Sequence, residues 1–124
     1  MHPSIALYLP EIRSLCHTHQ ISNLWLFGSA LRADFGPESD VDFLYEPQAG
    51  LLPEIEGEMY WQFQEKLQKL FQRSVDLVWY KGIKNPYLKR EVDKTKVLIY
   101  DMERDGGFGD LHGVTQERSY TEVE

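Results

Sequence analysis

The sequence predicts an α+β fold, a small mixed β-sheet flanked by helices. Three observations lead to this prediction. Short apolar segments typical of strands alternate with longer segments in which apolar residues recur at helical spacing. A length of 124 residues is enough for one packed core. Hydrophobic residues make up 42% of the chain, which places it with ordinary folded proteins.

The first predicted element is a helix within residues 4–19, where apolar residues follow helical spacing. Pro10 fits only the first turn of a helix, so the helix is expected to begin near it. The other predicted elements are strands at 23–28 and 40–46, a helix at 55–72, a strand at 74–80, a short helix at 86–95 and a strand at 96–100. Gly36-Pro37 marks a turn between the first two strands.

The long helix has one apolar stripe, which consists of Met59, Tyr60, Phe63, Leu67, Leu70 and Phe71. Trp61 falls opposite this stripe, so we expect it to be exposed together with Gln64, Glu65 and Gln68. An exposed Trp is either a candidate for a protein interface or an ordinary surface residue. We expect Trp25 and Trp79 to lie in the core.

Charge divides the chain into two parts. Residues 101–124 hold seven acidic and two basic side chains, whereas residues 1–100 hold thirteen and eleven. The last segment also has little apolar content and no periodicity. We therefore expect one domain over residues 1–100 and an acidic, flexible tail over 101–124. The nearly neutral body gives no support for a nucleic-acid partner, and a basic protein partner suits the tail better.

Several protein classes are excluded at this point. No apolar segment is long enough to span a bilayer, so we expect no membrane association. The N-terminus lacks the layout of a signal peptide, which indicates a cytoplasmic protein. Cys16 is the single cysteine, which fits a reducing compartment. The segment Cys16-His17-Thr18-His19 does not have the spacing of a common zinc site, and its histidines are expected at a helix C-terminus.

Two carboxylates interrupt the second predicted strand. Asp40 and Asp42 flank Val41, and residues at i and i+2 of a strand point to the same face. Two like charges so close repel each other unless a cation lies between them, and paired Asp oxygens suit Mg²⁺. Asp76 lies between apolar residues of the third strand. If the second and third strands are neighbours, three carboxylates converge and can hold two Mg²⁺ ions, an arrangement used in phosphoryl chemistry.

Gly28-Ser29 provides the second half of such a site. A strand that ends in Gly-Ser lets backbone N–H groups approach a phosphate, and the Ser hydroxyl adds a hydrogen bond. Arg32, one turn later, can neutralise phosphate charge or pair with Asp34 on the surface. A Gly-Ser turn alone is weak evidence, but its spacing from the Asp pair is restrictive.

Gly28-Ser29, ten further residues and Asp40-x-Asp42 resemble the G-S-x10-D-x-D signature of minimal nucleotidyltransferases in the DNA polymerase β superfamily. The surrounding residues are similar as well, including Arg32 and Ser39, and Asp76 occupies the position of the third carboxylate. The resemblance covers roughly residues 20–100. It implies a nucleotidyltransferase fold and the small prokaryotic kind of enzyme that acts as antitoxin to a HEPN-domain ribonuclease toxin.

The resemblance also implies a chemistry. AMP would pass from ATP to a tyrosine hydroxyl of the toxin, by in-line attack on the α-phosphorus with release of pyrophosphate. Asp40, Asp42 and Asp76 would be the catalytic residues and hold two Mg²⁺ ions. The nucleotide-binding residues would be Gly28, Ser29, Arg32 and Ser39. The basic segment 81–96 can add cationic contacts from Lys84, Lys89 or Arg90, although such a segment is more often a solvated surface.

Two other functions remain open from the sequence. The protein can act mainly as a binding module that masks its toxin without catalysis, in which case Trp61 and the tail matter more than the carboxylates. It can also be a nucleotidyltransferase for a small molecule, such as an aminoglycoside-modifying enzyme. A small-molecule nucleotidyltransferase needs an added helical domain for the acceptor, and 124 residues leave no room for one.

Overall fold

The computed structural model describes residues 3–28, 36 and 38–105. The helices are α1 (Pro3–Ala6), α2 (Leu9–Thr18), α3 (Pro53–Phe71), α4 (Pro86–Thr95) and α5 (Met102–Asp105), and a 3₁₀ helix covers Tyr80–Gly82. The strands are β1 (Ile21–Phe27), β2 (Val41–Pro47), β3 (Val75–Trp79) and β4 (Val97–Asp101). Every predicted helix and strand is present, with ends that differ by at most a few residues. Only the first helix is divided in two, and Pro10 lies in the first turn of α2.

The four strands form one mixed sheet in the order β3-β2-β1-β4. β1 pairs antiparallel with β2 and β4, whereas β2 and β3 are parallel. The α+β prediction with a mixed sheet is therefore confirmed. The second and third strands are neighbours, which is the condition that the predicted convergence of carboxylates required. No helix of the described residues has the length and apolarity needed to cross a membrane.

One face of the sheet, which we call the helix-covered face, packs against α1, α2 and α3. Its strand residues include Leu24, Leu26, Val41 and Phe43, which are fully buried. Ile12 and Cys16 of α2 and Phe63 and Leu67 of α3 complete the same core cluster. Tyr60, Leu70 and Phe71 pack against this cluster, so five of the six residues of the predicted stripe are confirmed as the core-facing side of α3. Each large apolar side chain buried in this way stabilises the fold by about 1.5–3 kcal/mol relative to exposure.

The other face, which we call the opposite face, carries the alternate residues of the strands, among them Trp25, Asp42, Leu44, Glu46 and Asp76. Leu44 and Glu46 are buried, whereas Asp76 is exposed. The Trp25 ring lies 5.0 Å from the ring of Tyr80 in the 3₁₀ helix. The prediction that Trp25 is a core residue is therefore wrong: it is half-buried on the opposite face, outside the core cluster.

The prediction that Trp79 is a core residue is also wrong, because 49% of its surface is exposed. It ends β3, which is the outermost strand, so no further strand covers it. Trp61 is 60% exposed, as expected.

The outer edge of β3 is covered by polar side chains of α3. Gln68 Oε1 accepts a hydrogen bond from Val75 N at 3.2 Å, and Gln64 Nε2 donates to Val75 O at 2.9 Å. Tyr60 Oη donates to Leu77 O at 3.2 Å. An open strand edge can pair with other chains, and these bonds occupy that edge. Gln64 and Glu65 are half-buried, although the helical pattern predicted that they would be exposed, whereas Gln68 is exposed as predicted.

The predicted domain boundary at residue 100 falls inside β4, which runs to Asp101 and is followed by α5. Residues 106–124 lie outside the described residues. For those residues the flexible acidic tail stays a prediction.

Candidate active site

Three of the predicted site residues, Gly28, Asp42 and Asp76, lie where β1 ends and where β2 and β3 begin. Asp42 and Asp76 are register partners on the parallel strands β2 and β3, so both project from the opposite face. Asp42 is half-buried, and its neighbours Val41 and Phe43 are fully buried in the core on the other side. The core therefore fixes the strand that carries Asp42 and leaves its carboxylate outside.

Gly28 lies directly against Asp42. Phe27, the last residue of β1, is the register partner of Asp42, and Gly28 follows it with a φ of +75°. A Cβ atom on Gly28 would lie 2.5 Å from Asp42 Oδ2. Glycine is required at this position for two reasons, its left-handed backbone and the closeness of the carboxylate. Gly28 and Asp42, which belong to the two halves of the predicted signature, are thus adjacent in the fold.

The remaining predicted residues differ in how far the structure describes them. Asp40 is exposed and lies one residue before β2 begins, so it belongs to the turn and not to the strand in which it was predicted. Ser39 belongs to this turn: its Oγ accepts a hydrogen bond from Gly36 N at 3.1 Å, and its N–H donates to Gly36 O. Ser29 and Arg32 lie outside the described residues.

The carboxylate oxygens of Asp42 and Asp76 are ligands that suit a hard divalent cation such as Mg²⁺. Asp42 and Asp76 offer carboxylate oxygens on one face at adjacent register positions. Within residues 3–28, 36 and 38–105, no group of three or more His, Cys, Asp or Glu side chains is placed to hold a metal ion. Mg²⁺ is commonly held by one or two carboxylates, with water and substrate phosphates as its other ligands. The two aspartates fit that mode.

A cluster of aromatic and charged residues lies further along the opposite face. Lys96 Nζ is 5.9 Å from the ring centre of Trp25 and 5.3 Å from that of Tyr80, and Lys89 Nζ is 4.7 Å from the Tyr80 ring. Tyr80 Oη donates a hydrogen bond to Asp93, which raises the pKa of Tyr80 to about 12 and lowers that of Asp93. Lys89, one of three basic residues proposed for phosphate contacts, thus contacts an aromatic ring.

Glu46 is a buried carboxylate that the sequence analysis missed. Its Oε1 accepts a hydrogen bond from Trp79 Nε1 at 3.1 Å, and its Oε2 accepts one from Lys81 N at 2.9 Å. These bonds fix the 3₁₀ helix that places Tyr80 on Trp25. Alternation with Asp42 and Leu44 along β2 was a usable signal, because it places Glu46 on the opposite face.

The histidines of the segment 16–19 have a structural position. α2 ends at Thr18 and His19 is its C-terminal cap residue, as predicted. His19 is buried, with Nδ1 2.8 Å from Leu15 O and its ring 5.9 Å from the Phe63 ring.

Residues 10–105 match the protein family described as Polymerase beta, Nucleotidyltransferase. Since this match covers most of the chain, the protein belongs to that family, and the family predicted from the sequence is confirmed.

Relatives and solved structures agree with this assignment. Two proteins of Methanocaldococcus jannaschii that carry the name protein adenylyltransferase, MJ1379 and MJ0126, are 28% and 32% identical to the chain over 99 and 102 residues. In both cases the match covers 73% of this chain and 97% of the relative.

Among solved structures, one described as a minimal nucleotidyltransferase has a TM-score of 0.62 at 24% identity, over 75% of this chain and 90% of the other. A toxin–antitoxin with AMP-PNP has a TM-score of 0.59 at 22% identity, over 78% and 76%. A tri-AMPylated Shewanella oneidensis HEPN toxin in complex with MNT antitoxin gives 0.51 at 21% identity, over 82% and 76%. These likenesses show the nucleotidyltransferase fold.

Proposed function

We propose that this protein is an antitoxin that transfers AMP from ATP to a hydroxyl group of a HEPN-type ribonuclease toxin, with which it forms a hetero-oligomer. The observation that carries the proposal is the close approach of Gly28 to Asp42, together with the register of Asp42 and Asp76. The adenylyltransferase names of the relatives, and the AMP-PNP and AMPylated HEPN complexes of similar fold, support the nucleotide and the partner.

The transfer forms one bond and breaks one. The acceptor oxygen, which we propose to be that of a tyrosine, attacks the α-phosphorus, and the bond from that phosphorus to the bridging oxygen of pyrophosphate breaks. Gly28 and Ser29 seat the triphosphate, with Arg32 and Ser39 as further nucleotide contacts. Asp40, Asp42 and Asp76 would hold two Mg²⁺ ions, and the metal would supply stabilisation of the negative charge that develops on the reacting oxygens.

Asp76 has a second task in this proposal, since it faces the acceptor. A tyrosine hydroxyl has an ordinary pKa of about 10, so at neutral pH it holds its proton and needs help to lose it. The Mg²⁺ ion that Asp76 would hold on the acceptor side would favour that loss. The exposure of Asp76, on the outermost strand, is compatible with an acceptor supplied by a second protein.

The test mixes the purified protein, Mg²⁺, the HEPN protein encoded beside it and ATP labelled on the α-phosphate. We expect label on the HEPN protein, with a mass increase of one or more AMP units. Asp42→Asn should reduce the transfer rate on the order of 10³-fold, because a metal contributes several kcal/mol to the stabilisation of the transition state. Asp40→Asn should act in the same direction.

Glu38→Gln is the matched control, since Glu38 is exposed in the neighbouring turn and the change removes the same charge. It should leave the rate unchanged. The competing function, a binding module that masks the toxin, predicts no label and full neutralisation by Asp42→Asn. That result would overturn the proposal.

A further inference from the structure

We infer that Arg73 is a positioning residue for Asp40, a role that rests on the proposed function. α3 ends at Phe71, and Gln72 takes the left-handed conformation, which turns the chain into the short connection to β3. Arg73 and Ser74 form that connection, and Asp76 follows two residues later. The chain segment that leads into Asp76 is therefore also the one that meets the turn before Asp40.

The side chain of Arg73 holds this turn through two backbone carbonyls. Its Nη1 donates to Gly36 O at 2.9 Å and to Ser39 O at 3.0 Å. Gly36 O also accepts from Ser39 N, so the turn and the guanidinium share one acceptor. The Ser39 carbonyl belongs to the peptide bond that joins Ser39 to Asp40. Arg73 thereby fixes the peptide plane immediately before Asp40.

The other side of Asp40 is held by the next residue of the same connection. Val41 N donates to Ser74 O at 3.1 Å, which is the first bond between β2 and the chain entering β3. Asp40 itself lies outside the strand and is exposed, so the sheet does not fix its backbone directly. Two bonded peptides therefore flank Asp40, one anchored by Arg73 and one by Ser74.

A charged donor makes this contact stronger than a neutral one. Hydrogen bonds from a guanidinium to a carbonyl are shorter and roughly twice as strong as neutral bonds. Groups that orient metal ligands without touching the metal commonly change affinity or activity about 10- to 100-fold when removed. Arg73 fits that pattern, since it donates hydrogen bonds to the backbone beside a proposed ligand.

The first test measures the backbone directly. In Arg73→Met, amide hydrogen exchange at residues 39–41 should become at least about 10-fold faster than in the wild type, because the turn loses its anchor. Lys69→Met is the matched control: Lys69 is exposed, lines the same surface groove as Arg73, and loses the same charge. Its exchange at these residues should not change.

The second test measures the site. Arg73→Met should lower kcat for AMP transfer about 10- to 100-fold and raise the Mg²⁺ concentration at half-maximal rate. The KM for the HEPN protein should stay the same. Because both bonds come from one nitrogen, Arg73→Lys can replace them in part, and its kcat should lie between those of the wild type and Arg73→Met. Lys69→Met should have wild-type kinetics.

Mn²⁺ binding in the presence of AMP-PNP, followed by electron paramagnetic resonance, separates this inference from the proposed function. If the wild type transfers no AMP, the proposed function is refuted. Even then, weaker Mn²⁺ binding by Arg73→Met than by Lys69→Met would support the role of Arg73. Unchanged exchange at residues 39–41 overturns the inference. So does faster exchange accompanied by wild-type Mn²⁺ binding and wild-type kcat.

Discussion

The two faces of the sheet are built from the same strands but follow different rules. On the helix-covered face, Val41 and Phe43 are fully buried among apolar side chains. On the opposite face, the alternate residues Asp42, Leu44 and Glu46 mix carboxylates with one buried apolar residue. The first face supplies stability through apolar burial. The second carries two of the proposed catalytic aspartates, and its buried carboxylate Glu46 is held by hydrogen bonds from Trp79 and Lys81.

The helix-covered face should give the largest effect on stability. Phe63 of α3 is fully buried against it, and Phe63→Ala removes a ring and leaves a cavity. We expect the free energy of unfolding to fall by about 3–5 kcal/mol, measured by urea denaturation. Trp61→Ala provides the control, because Trp61 is two residues away on the exposed side of the same helix. Its effect should stay within about 0.5 kcal/mol. Equal losses in the two variants would show that the distinction between these sides of α3 is wrong.

This contrast also explains what the sequence could predict. Phe63, Leu67 and the alternating residues of β2 repeat at helix or strand periods, so their burial follows from spacing alone. The proximity of Gly28 to Asp42 was predictable for another reason, since the signature that contains them is specific. The spacing of apolar residues is local in the sequence, and the proximity of Gly28 to Asp42 follows from the motif.

The misses share a physical cause. Gln64 is half-buried because it bonds to the outer edge of β3, and Trp79 is exposed because β3 has no strand beyond it. Arg73 bonds to a turn more than thirty residues earlier in the chain. Each outcome depends on strand order and on long-range hydrogen bonds, which no periodicity records. Polar residues in helices and connections otherwise look like solvated surface.

A change at Glu46 tests the opposite face, and we expect its effect on the free energy of unfolding to be smaller than that of Phe63→Ala. Both of its carboxylate oxygens accept hydrogen bonds while the side chain is buried. Glu46→Gln replaces one acceptor with an NH₂ group, which leaves either Trp79 Nε1 or Lys81 N without its acceptor. We expect the free energy of unfolding to fall by about 1–3 kcal/mol in urea denaturation.

A double-mutant cycle identifies the partner. Trp79→Phe removes the indole donor, so its effect should be smaller in the Glu46→Gln background, with a coupling of about 0.5–3 kcal/mol. Glu58→Gln, an exposed change on α3, should be neutral. Additive effects of the Glu46 and Trp79 changes would mean that their hydrogen bond does not stabilise the fold.

Tyr100 is the exception to the apolar rule of the helix-covered face, and the effect of its removal should have the opposite sign. Its ring belongs to the core cluster, but its Oη is buried and meets no hydrogen-bond partner among residues 3–28, 36 and 38–105. A buried polar group without a partner costs about 1–3 kcal/mol. Tyr100→Phe keeps the ring and should raise the free energy of unfolding by about 1 kcal/mol in urea at pH 7. A loss of stability would mean that the hydroxyl has a partner.

The pH dependence of the free energy of unfolding provides a second test of the Tyr100 hydroxyl. Burial, followed by nearby Cys16 and Asp105, raises the pKa of Tyr100 well above its ordinary value of about 10. The unfolded chain therefore loses this proton at lower pH than the folded one. The resulting contribution to stability is complete below about pH 10 and is lost as the pH rises toward the folded pKa. The free energy of unfolding of Tyr100→Phe should thus fall less steeply above pH 10 than that of the wild type, while the exposed control Tyr87→Phe should follow the wild type. Parallel curves for Tyr100→Phe and the wild type would show that the hydroxyl reaches solvent in the folded protein.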